Sequence, residues 1–170
     1  MAISEKDIYP DYYQTYISKV KDPDLLMALL KNKKSTEAIY RNIPADKEDH
    51  RYAEGKWSIK EVLMHIIDTE RVMAYRALRI ARNDKTPMPG FDQDVFANEY
   101  HLEHVNLDQI VEEFIAVRNA SILLFRHITE TQLHFTGTAS GWEMSANALF
   151  HVISGHAEHH NAIILERYLD

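Results

Sequence analysis

Prolines and glycines divide this chain into four long segments, each of which repeats apolar residues with the 3.6-residue period of an amphipathic helix. The predicted helices span residues 23–43, 58–83, 106–128 and 145–169. No stretch shows the alternation of apolar and polar residues that is typical of a strand, so the predicted class is all-α. Each apolar stripe must be buried against another, and a four-helix bundle is the simplest arrangement that achieves this.

Capping signals predict where three of these helices begin. Asp22 is the predicted N-cap of the first helix, because a short acidic side chain can accept a free backbone N–H there. Ser58 and Glu61 have the spacing of a capping box at the start of the second helix. Asn106 and Gln109 have the same spacing at the start of the third.

The connections are less regular than the helices. About 22 residues, 84–105, join the second and third helices, whereas 2–8 residues suffice between antiparallel neighbours. A connection this long could cross the bundle and make the two helices parallel, or it could cover one end. Residues 1–22 are rich in tyrosine and are predicted to form an ordered arm, with Tyr12 and Tyr13 as packing residues. The length of 170 residues favours a single domain over 1–170.

Charge and composition exclude several classes of partner and site. The chain has 19 basic and 26 acidic residues, and its net charge of −7 disfavours nucleic acid and anionic membranes as partners. The absence of cysteine excludes disulfides, thiolate metal ligands and a cysteine nucleophile. No run approaches the roughly 18 apolar residues of a membrane span, and the first residues are too polar for a signal sequence. A cytoplasmic location is expected.

Histidine is the residue type that most suggests chemistry, since the chain has 10 of them. His156 and His160 fall in the middle of the apolar stripe of the fourth helix, on adjacent turns. The same i, i+4 spacing allows the helical H-E-x-x-H motif to bind zinc. His65 of the second helix could supply a third nitrogen from a facing helix. The competing interpretation is a set of core histidines that are simply hydrogen-bonded.

Four segments of the chain carry a resemblance to a known family. They are GKWSIKEVLMHIIDTER at 55–71, YRALR at 75–79, PMPGFD at 87–92 and GHAEHH at 155–160. They resemble the signatures of the DinB-like superfamily, and in particular its YfiT-type metal-binding bundles. The resemblance covers nearly the whole chain.

The resemblance implies a four-helix bundle of up-down-down-up topology, consistent with a long connection between the second and third helices. It also implies a metal site made of one histidine from the second helix and an H-x-x-x-H pair from the fourth. By position these are His65, His156 and His160. His159 matches a position that is frequently histidine in the family and takes no ligand role. One divalent ion, zinc or nickel, and a homodimer are implied as well.

Three functions are compatible with such a site. Relatives include S-transferases that use low-molecular-weight thiols such as bacillithiol, so the first hypothesis is a metal-dependent enzyme that activates such a thiol for transfer to an electrophile. The second is a metal-dependent hydrolase in which the ion generates a hydroxide nucleophile. Both act on a small molecule. The third is a non-catalytic, stress-associated metal-binding bundle.

Several other polar residues lie near the proposed ligands. Arg76 follows His65 on the same side of the second helix and is predicted to bind an anionic substrate or thiol, and His159 borders the site as a second candidate. Asp68 is a candidate to orient a ligand ring or to act as a base. Glu70 falls within the apolar arc, so it needs a buried partner, and Arg118 of the third helix is the predicted one.

Overall fold

The computed structural model describes residues 2–169. Met1 and Asp170, the two ends of the predicted domain, lie outside the described residues, and Met1 also belongs to the predicted arm. Helices predominate, as predicted. In chain order the α-helices are α1 (Gln14–Ile17), α2 (Leu25–Arg41), α3 (Ile59–Ala81), α4 (Gln93–Asn98), α5 (Leu107–Arg126), α6 (Glu130–Leu133) and α7 (Ala146–Ile163). A π-helical turn, Ile164–Tyr168, extends α7, and short 3-10 turns lie at Asp11–Tyr13 and Ala45–Lys47.

Both predicted capping boxes are present. The backbone N–H of Glu61 donates to Ser58 Oγ at 3.3 Å, and the N–H of Ser58 donates to Glu61 Oε2 at 2.6 Å. The N–H of Gln109 donates to Asn106 Oδ1 at 2.9 Å, and the N–H of Asn106 donates to Gln109 Oε1 at 3.1 Å. The ends of α3 and α5 that these motifs define therefore follow from local sequence.

The predicted N-cap of the first long helix was wrong by two residues. Asp24 caps α2 by accepting the N–H of Leu26 at 3.0 Å, and the helix begins at Leu25. Asp22 instead accepts the N–H of Asp24 at 2.9 Å and pairs with Lys31 at 2.6 Å. Two aspartates two residues apart both satisfy the capping rule, and the turn between them decides which one is used.

The four long helices occupy the corners of a square in which α3 packs on α5 and α7, and α2 packs on the same two helices. Lys60, at the start of α3, donates to two carbonyls just before α5, Leu102 O at 3.0 Å and Val105 O at 3.2 Å. Arg41, at the end of α2, pairs with Asp108 at the start of α5 at 3.1 Å. Tyr168, after α7, donates to the carbonyl of Trp57, before α3, at 2.8 Å. These contacts between helix ends confirm the up-down-down-up topology.

The connection between α3 and α5 runs the length of the bundle, because these two helices are parallel. This confirms the first of the two alternatives, a connection that crosses the bundle. Part of it pairs with residues 138–140, between α6 and α7: the N–H of Met88 donates to Thr138 O at 2.9 Å, and the N–H of Ser140 donates to Met88 O at 3.0 Å.

The prediction that the chain contains no strand was wrong. β1 (Thr136–Ala139) and β2 (Trp142–Ser145) form an antiparallel hairpin. Its two turn residues, Ser140 and Gly141, both have positive φ, 52° and 82°, as a two-residue type I′ hairpin turn requires. Each strand has only four residues, and the inward positions of β1 are Gly137 and Ala139, which give almost no hydrophobic signal.

A buried polar layer divides the core into two hydrophobic clusters. One cluster lies at the end of the bundle where α2 and α7 begin, and the other lies where α3 and α5 begin. Every long helix contributes to the layer between them. Its members include Asn32, Thr36, His65, Thr69, Glu70, Arg118, His156 and Asn161, all at most 5% exposed.

The N-terminal arm packs against α7 at a glycine. The Tyr16 carbonyl lies so close to Gly155 that an added Cβ would be 2.0 Å from its oxygen. A glycine inside a helix often marks a close approach of another backbone, and Gly155 has this role here. Within residues 2–169, no helix is both long and apolar enough to cross a membrane.

Candidate metal centre

Three histidine side chains from two helices converge at one point of the polar layer. His65 comes from α3, and His156 and His160 come from adjacent turns of α7. His156 Nε2 lies 3.0 Å from His65 Nε2 and 3.1 Å from His160 Nε2. One ligand atom from each ring lies within 4.8 Å of the others. The structure thus brings together the three histidines that the sequence selected.

Burial keeps these rings neutral. Desolvation lowers the pKa of His65 to about 4 and the pKa of His160 to about 3. The pKa of His156 is lowered well below its usual value, first by burial and then by the neighbouring histidines. Neutral imidazole has a free nitrogen lone pair, which is the form that binds a metal ion.

Hydrogen bonding alone does not explain the cluster. A neutral imidazole nitrogen offers either one N–H or one in-plane lone pair, whereas His156 Nε2 is in close contact with two ring nitrogens. A divalent ion fits the donor set. Nitrogen ligands 2.0–2.1 Å from a tetrahedral ion lie about 3.3 Å apart, close to the two distances seen here. Zinc, nickel, copper and iron all accept imidazole ligands.

The cluster borders a cavity of about 420 Å³, into which His156 faces. Aromatic residues of the N-terminal arm form one wall, and residues of α3, the long connection and the hairpin turn complete it. The lining residues are Tyr12, Tyr13, Tyr16, Thr69, Met73, Arg76, Phe91, Asp92, Gln93, Asp94, Ser140, Val152 and His156. A small molecule in this cavity would have direct access to an ion held by the histidines.

Arg76, predicted to bind an anion, lines the same cavity. It is 2% exposed, and its Nη2 donates to Pro89 O at 2.7 Å and to Ser140 Oγ at 2.8 Å. Its guanidinium also lies 5.7 Å from the centre of the Phe91 ring. Burial lowers the pKa of this guanidinium, whereas Tyr13 beside it opposes the shift.

His159 and Asp68 lie at the edge of the centre. His159 is half-buried, and its ring centroid lies 5.4 Å from that of Tyr16 and 5.1 Å from that of His160. Asp68 accepts a hydrogen bond from Tyr100 at 3.0 Å and lies 3.5 Å from Arg71. Within residues 2–169, none of its hydrogen bonds or ion pairs involves a histidine. Asp68 therefore has no contact that supports the orienting role suggested for it, because it faces the long connection instead.

The sequence missed the contribution of the arm. Tyr12 and Tyr13 were predicted to be packing residues, but they line the cavity, and Tyr16 lies against His156 with ring centroids 5.2 Å apart. Thr69, one turn after His65, was also missed: its hydroxyl is buried without a hydrogen-bond partner in the described chain. The one available signal for Thr69 was its position on the His65 side of α3.

The predicted pairing of Glu70 with Arg118 is confirmed. Arg118 Nε donates to both Glu70 oxygens, at 2.9 and 3.0 Å, and both side chains are buried. Arg118 Nη1 also donates to Asn32 Oδ1, and Asn32 Nδ2 donates to Glu158 Oε1 at 2.8 Å. This chain of contacts joins α3, α5, α2 and α7 beside the histidines.

Comparison with known proteins gives the family. The model of the DinB superfamily matches residues 28–164, which include all three histidines. The chain belongs to the DinB superfamily. A curated relative from Oceanobacillus iheyensis is 29% identical over 116 residues, which are 66% of this chain and 65% of the relative's length. That protein is named as a candidate metal-dependent hydrolase.

Two solved structures of Bacillus subtilis proteins share the fold of this DinB superfamily member. YfiT, described as a candidate metal-dependent hydrolase with an unusual four-helix bundle topology, aligns with a TM-score of 0.74 and 15% identity over 96% of this chain and 90% of its own. The DinB-like protein YjoA aligns with a TM-score of 0.60 and 16% identity, over 85% of this chain and 90% of its own. At these identities the alignments establish the fold alone.

Proposed function

We propose that the protein is a metal-dependent enzyme that holds one divalent ion, zinc or nickel, through His65, His156 and His160. The observation that carries the proposal is the convergence of three neutral imidazoles beside a cavity that one of them, His156, lines. Such an ion, when bound by three protein ligands, keeps a coordination position for water or substrate and lowers the pKa of the group it binds.

The rest of the cavity supplies binding and orientation. Arg76, Thr69 and Tyr13 offer polar groups to a substrate, and the rings of Tyr16 and Phe91 limit the access of water. No Asp or Glu of the described chain forms an ion pair with the three histidines, so activation of the nucleophile would depend on the ion rather than on a protein base.

Hydrolysis is the reaction we propose first, because the curated relative is named for it. Transfer of a low-molecular-weight thiol, of which bacillithiol is an example, is the second candidate. Arg76 supports it, because a buried cation on the wall of the cavity that His156 lines would suit an anionic thiol. The chain has no cysteine of its own, so it would use a thiol from solution.

Removal of one ligand should abolish metal binding. After reconstitution with zinc or nickel and gel filtration, we expect elemental analysis to find about one ion per chain in the wild type and less than about 0.1 in His160→Ala. The matched control is His104→Ala, which removes an exposed histidine and should leave the metal content unchanged. Equal metal content in the wild type and both variants would refute the proposed centre.

Two model substrates separate the candidate reactions. A hydrolase should release 4-nitrophenolate from 4-nitrophenyl acetate without any thiol, as water adds to the acyl carbon and the ester C–O bond breaks. A transferase should instead join the bacillithiol sulfur to 1-chloro-2,4-dinitrobenzene, releasing chloride and a proton. We expect the operating reaction to fall about 100-fold in His160→Ala. Metal binding without either reaction would favour the non-catalytic bundle.

A further inference from the structure

Arg76 is a buried cation whose charge the described chain does not neutralise. Its side chain is 2% exposed, yet no Asp or Glu within residues 2–169 forms an ion pair with it. Arg118, the other fully buried arginine, has Glu70 as its partner. A buried charge is costly unless an opposite charge or strong hydrogen bonds compensate for it. Arg76 therefore lacks the anion that its environment calls for.

The guanidinium still has donors to offer. Its contacts with Pro89 O and Ser140 Oγ both use Nη2. Nη1 contacts the Met73 sulfur at 3.6 Å, which is a weak acceptor, and the Tyr13 hydroxyl lies near enough to the guanidinium to act on its pKa as a hydrogen-bond partner. A guanidinium has five N–H groups, and none of the contacts of Arg76 is with an anion. Because Arg76 lines the cavity, an anion inside the cavity could accept from the N–H groups that remain.

A second group of the same cavity lacks a partner. The Thr69 hydroxyl is buried, lines the cavity and forms no hydrogen bond within residues 2–169. Thr69 lies 4 positions after His65 and 7 before Arg76, so all three side chains lie on one stripe of α3. Buried polar groups without partners are rare, and an unpaired hydroxyl on the same cavity wall as a cation without an ion-pair partner indicates a polar ligand.

The charges around the cavity restrict the kind of anion. Arg76 is the only Lys or Arg among its lining residues, whereas Asp92 and Asp94 both line it. A phosphate dianion would face one positive and two negative groups. A carboxylate carries a single charge and needs two or three donors, which Arg76 and Thr69 can supply.

We propose that Arg76 and Thr69 form a subsite for a carboxylate group of the substrate, and that the reacting end of the substrate lies at the three histidines. This rests on the proposed function, because it concerns the same cavity. His65 and Arg76 are 11 positions apart, about 16 Å along the helix axis, and the arginine side chain leans back towards the N-terminus of the helix. The substrate class is therefore a small carboxylic acid whose reactive group lies several bonds away from its carboxylate.

A purely structural role for Arg76 makes a different prediction. Pro89 O and Ser140 Oγ are neutral acceptors, and their contacts hold the long connection against the hairpin turn. If that were the whole role of Arg76, loss of its charge would lower the affinity for acidic and neutral ligands equally. A carboxylate subsite requires the affinity to fall for the acidic ligand alone.

The test uses 6-mercaptohexanoate and its amide, 6-mercaptohexanamide, titrated by calorimetry into the metal-free and the zinc-loaded protein. In the wild type we expect the acid to bind about tenfold more tightly than the amide in both forms. Arg76→Met should reduce this preference to within about twofold and leave the affinity for the amide unchanged. Thr69→Val, which keeps the shape of the side chain, should reduce the preference in part.

Arg79→Met is the matched control, because it removes the same charge one turn further along α3. Arg79 pairs with Asp84 at 2.6 Å and does not line the cavity, so the preference for the acid should persist. Should Arg76→Met fail to fold, judged by circular dichroism, Thr69→Val carries the test. An equal affinity for acid and amide in the wild type, or a preference that survives in Arg76→Met, would overturn the subsite.

The subsite and the proposed function can fail separately. A preference for the acid in metal-free protein that binds no zinc would retain the subsite and refute the metal-dependent function. Stoichiometric zinc binding without a preference for the acid would retain the metal centre and refute the subsite.

Discussion

Replacing Glu70 by glutamine should lower the free energy of unfolding by about 3–5 kcal/mol, because it leaves the Arg118 charge buried without an anion. The Arg118 side chain is 0% exposed and that of Glu70 is 2% exposed, so water cannot replace the missing partner. Urea denaturation monitored by circular dichroism measures the change in the free energy of unfolding. The m-value should stay constant if the native state keeps its surface.

Glu113→Gln is the matched control for this effect. Glu113 pairs with Arg71 at 2.7 Å, but the two side chains are 36% and 48% exposed. Breaking this pair should cost less than about 1 kcal/mol, because solvent screens the charges. If Glu70→Gln cost no more than the control, the buried pair would not be a main contributor to stability. The double variant Glu70→Met with Arg118→Met removes both charges and should be more stable than Glu70→Gln.

Gly155→Ala should also destabilise the protein, although alanine favours a helix by about 1 kcal/mol over glycine. The new Cβ would lie 2.0 Å from the Tyr16 oxygen and 2.6 Å from its carbonyl carbon. These are backbone atoms, so no side-chain rotation relieves the clash. We expect a net loss of about 1–3 kcal/mol as the arm moves away from α7. Urea denaturation measures the loss, and trypsin should cleave faster at Lys19 and Lys21.

Gly90→Ala provides the control for this substitution. A Cβ at Gly90 would meet the Ser140 side chain at 3.6 Å, which is an ordinary van der Waals contact. Its stability and rate of cleavage should therefore match those of the wild type. If Gly155→Ala were as stable and as resistant to trypsin as Gly90→Ala, the close contact of the arm with α7 would not be needed for its attachment.

The parts of the fold that depend on local interactions were predictable from the sequence. Periodicity located the four long helices, and the capping boxes at Ser58 and Asn106 defined two of their starts, because these hydrogen bonds lie within one helical turn. The hairpin was not predictable, because its inward residues Gly137 and Ala139 are too small to give a pattern. The topology followed from the family resemblance and the long connection rather than from periodicity.

The candidate site was predictable where its residues share a helix face. The stripe positions of His156 and His160 follow from helical geometry alone. The arm was not predictable as a wall of the cavity, since nothing in the sequence near Tyr16 indicates that it packs on a glycine more than 100 positions away. The orientation of the Asp68 side chain was not predictable either, because it depends on the path of the long connection, which places Tyr100 within hydrogen-bonding distance.

The polar layer has a consequence for the order of the helices around the bundle. Arg118 contacts both Glu70 of α3 and Asn32 of α2, which requires α5 to lie between those two helices. Sliding one helix by a turn, about 5.4 Å, would place a charge against hydrocarbon. We therefore expect the layer to select one neighbour arrangement and one axial register. The variant with methionine at both Glu70 and Arg118 should remain helical but show doubled NMR resonances from alternative packings, and a single set would contradict this expectation.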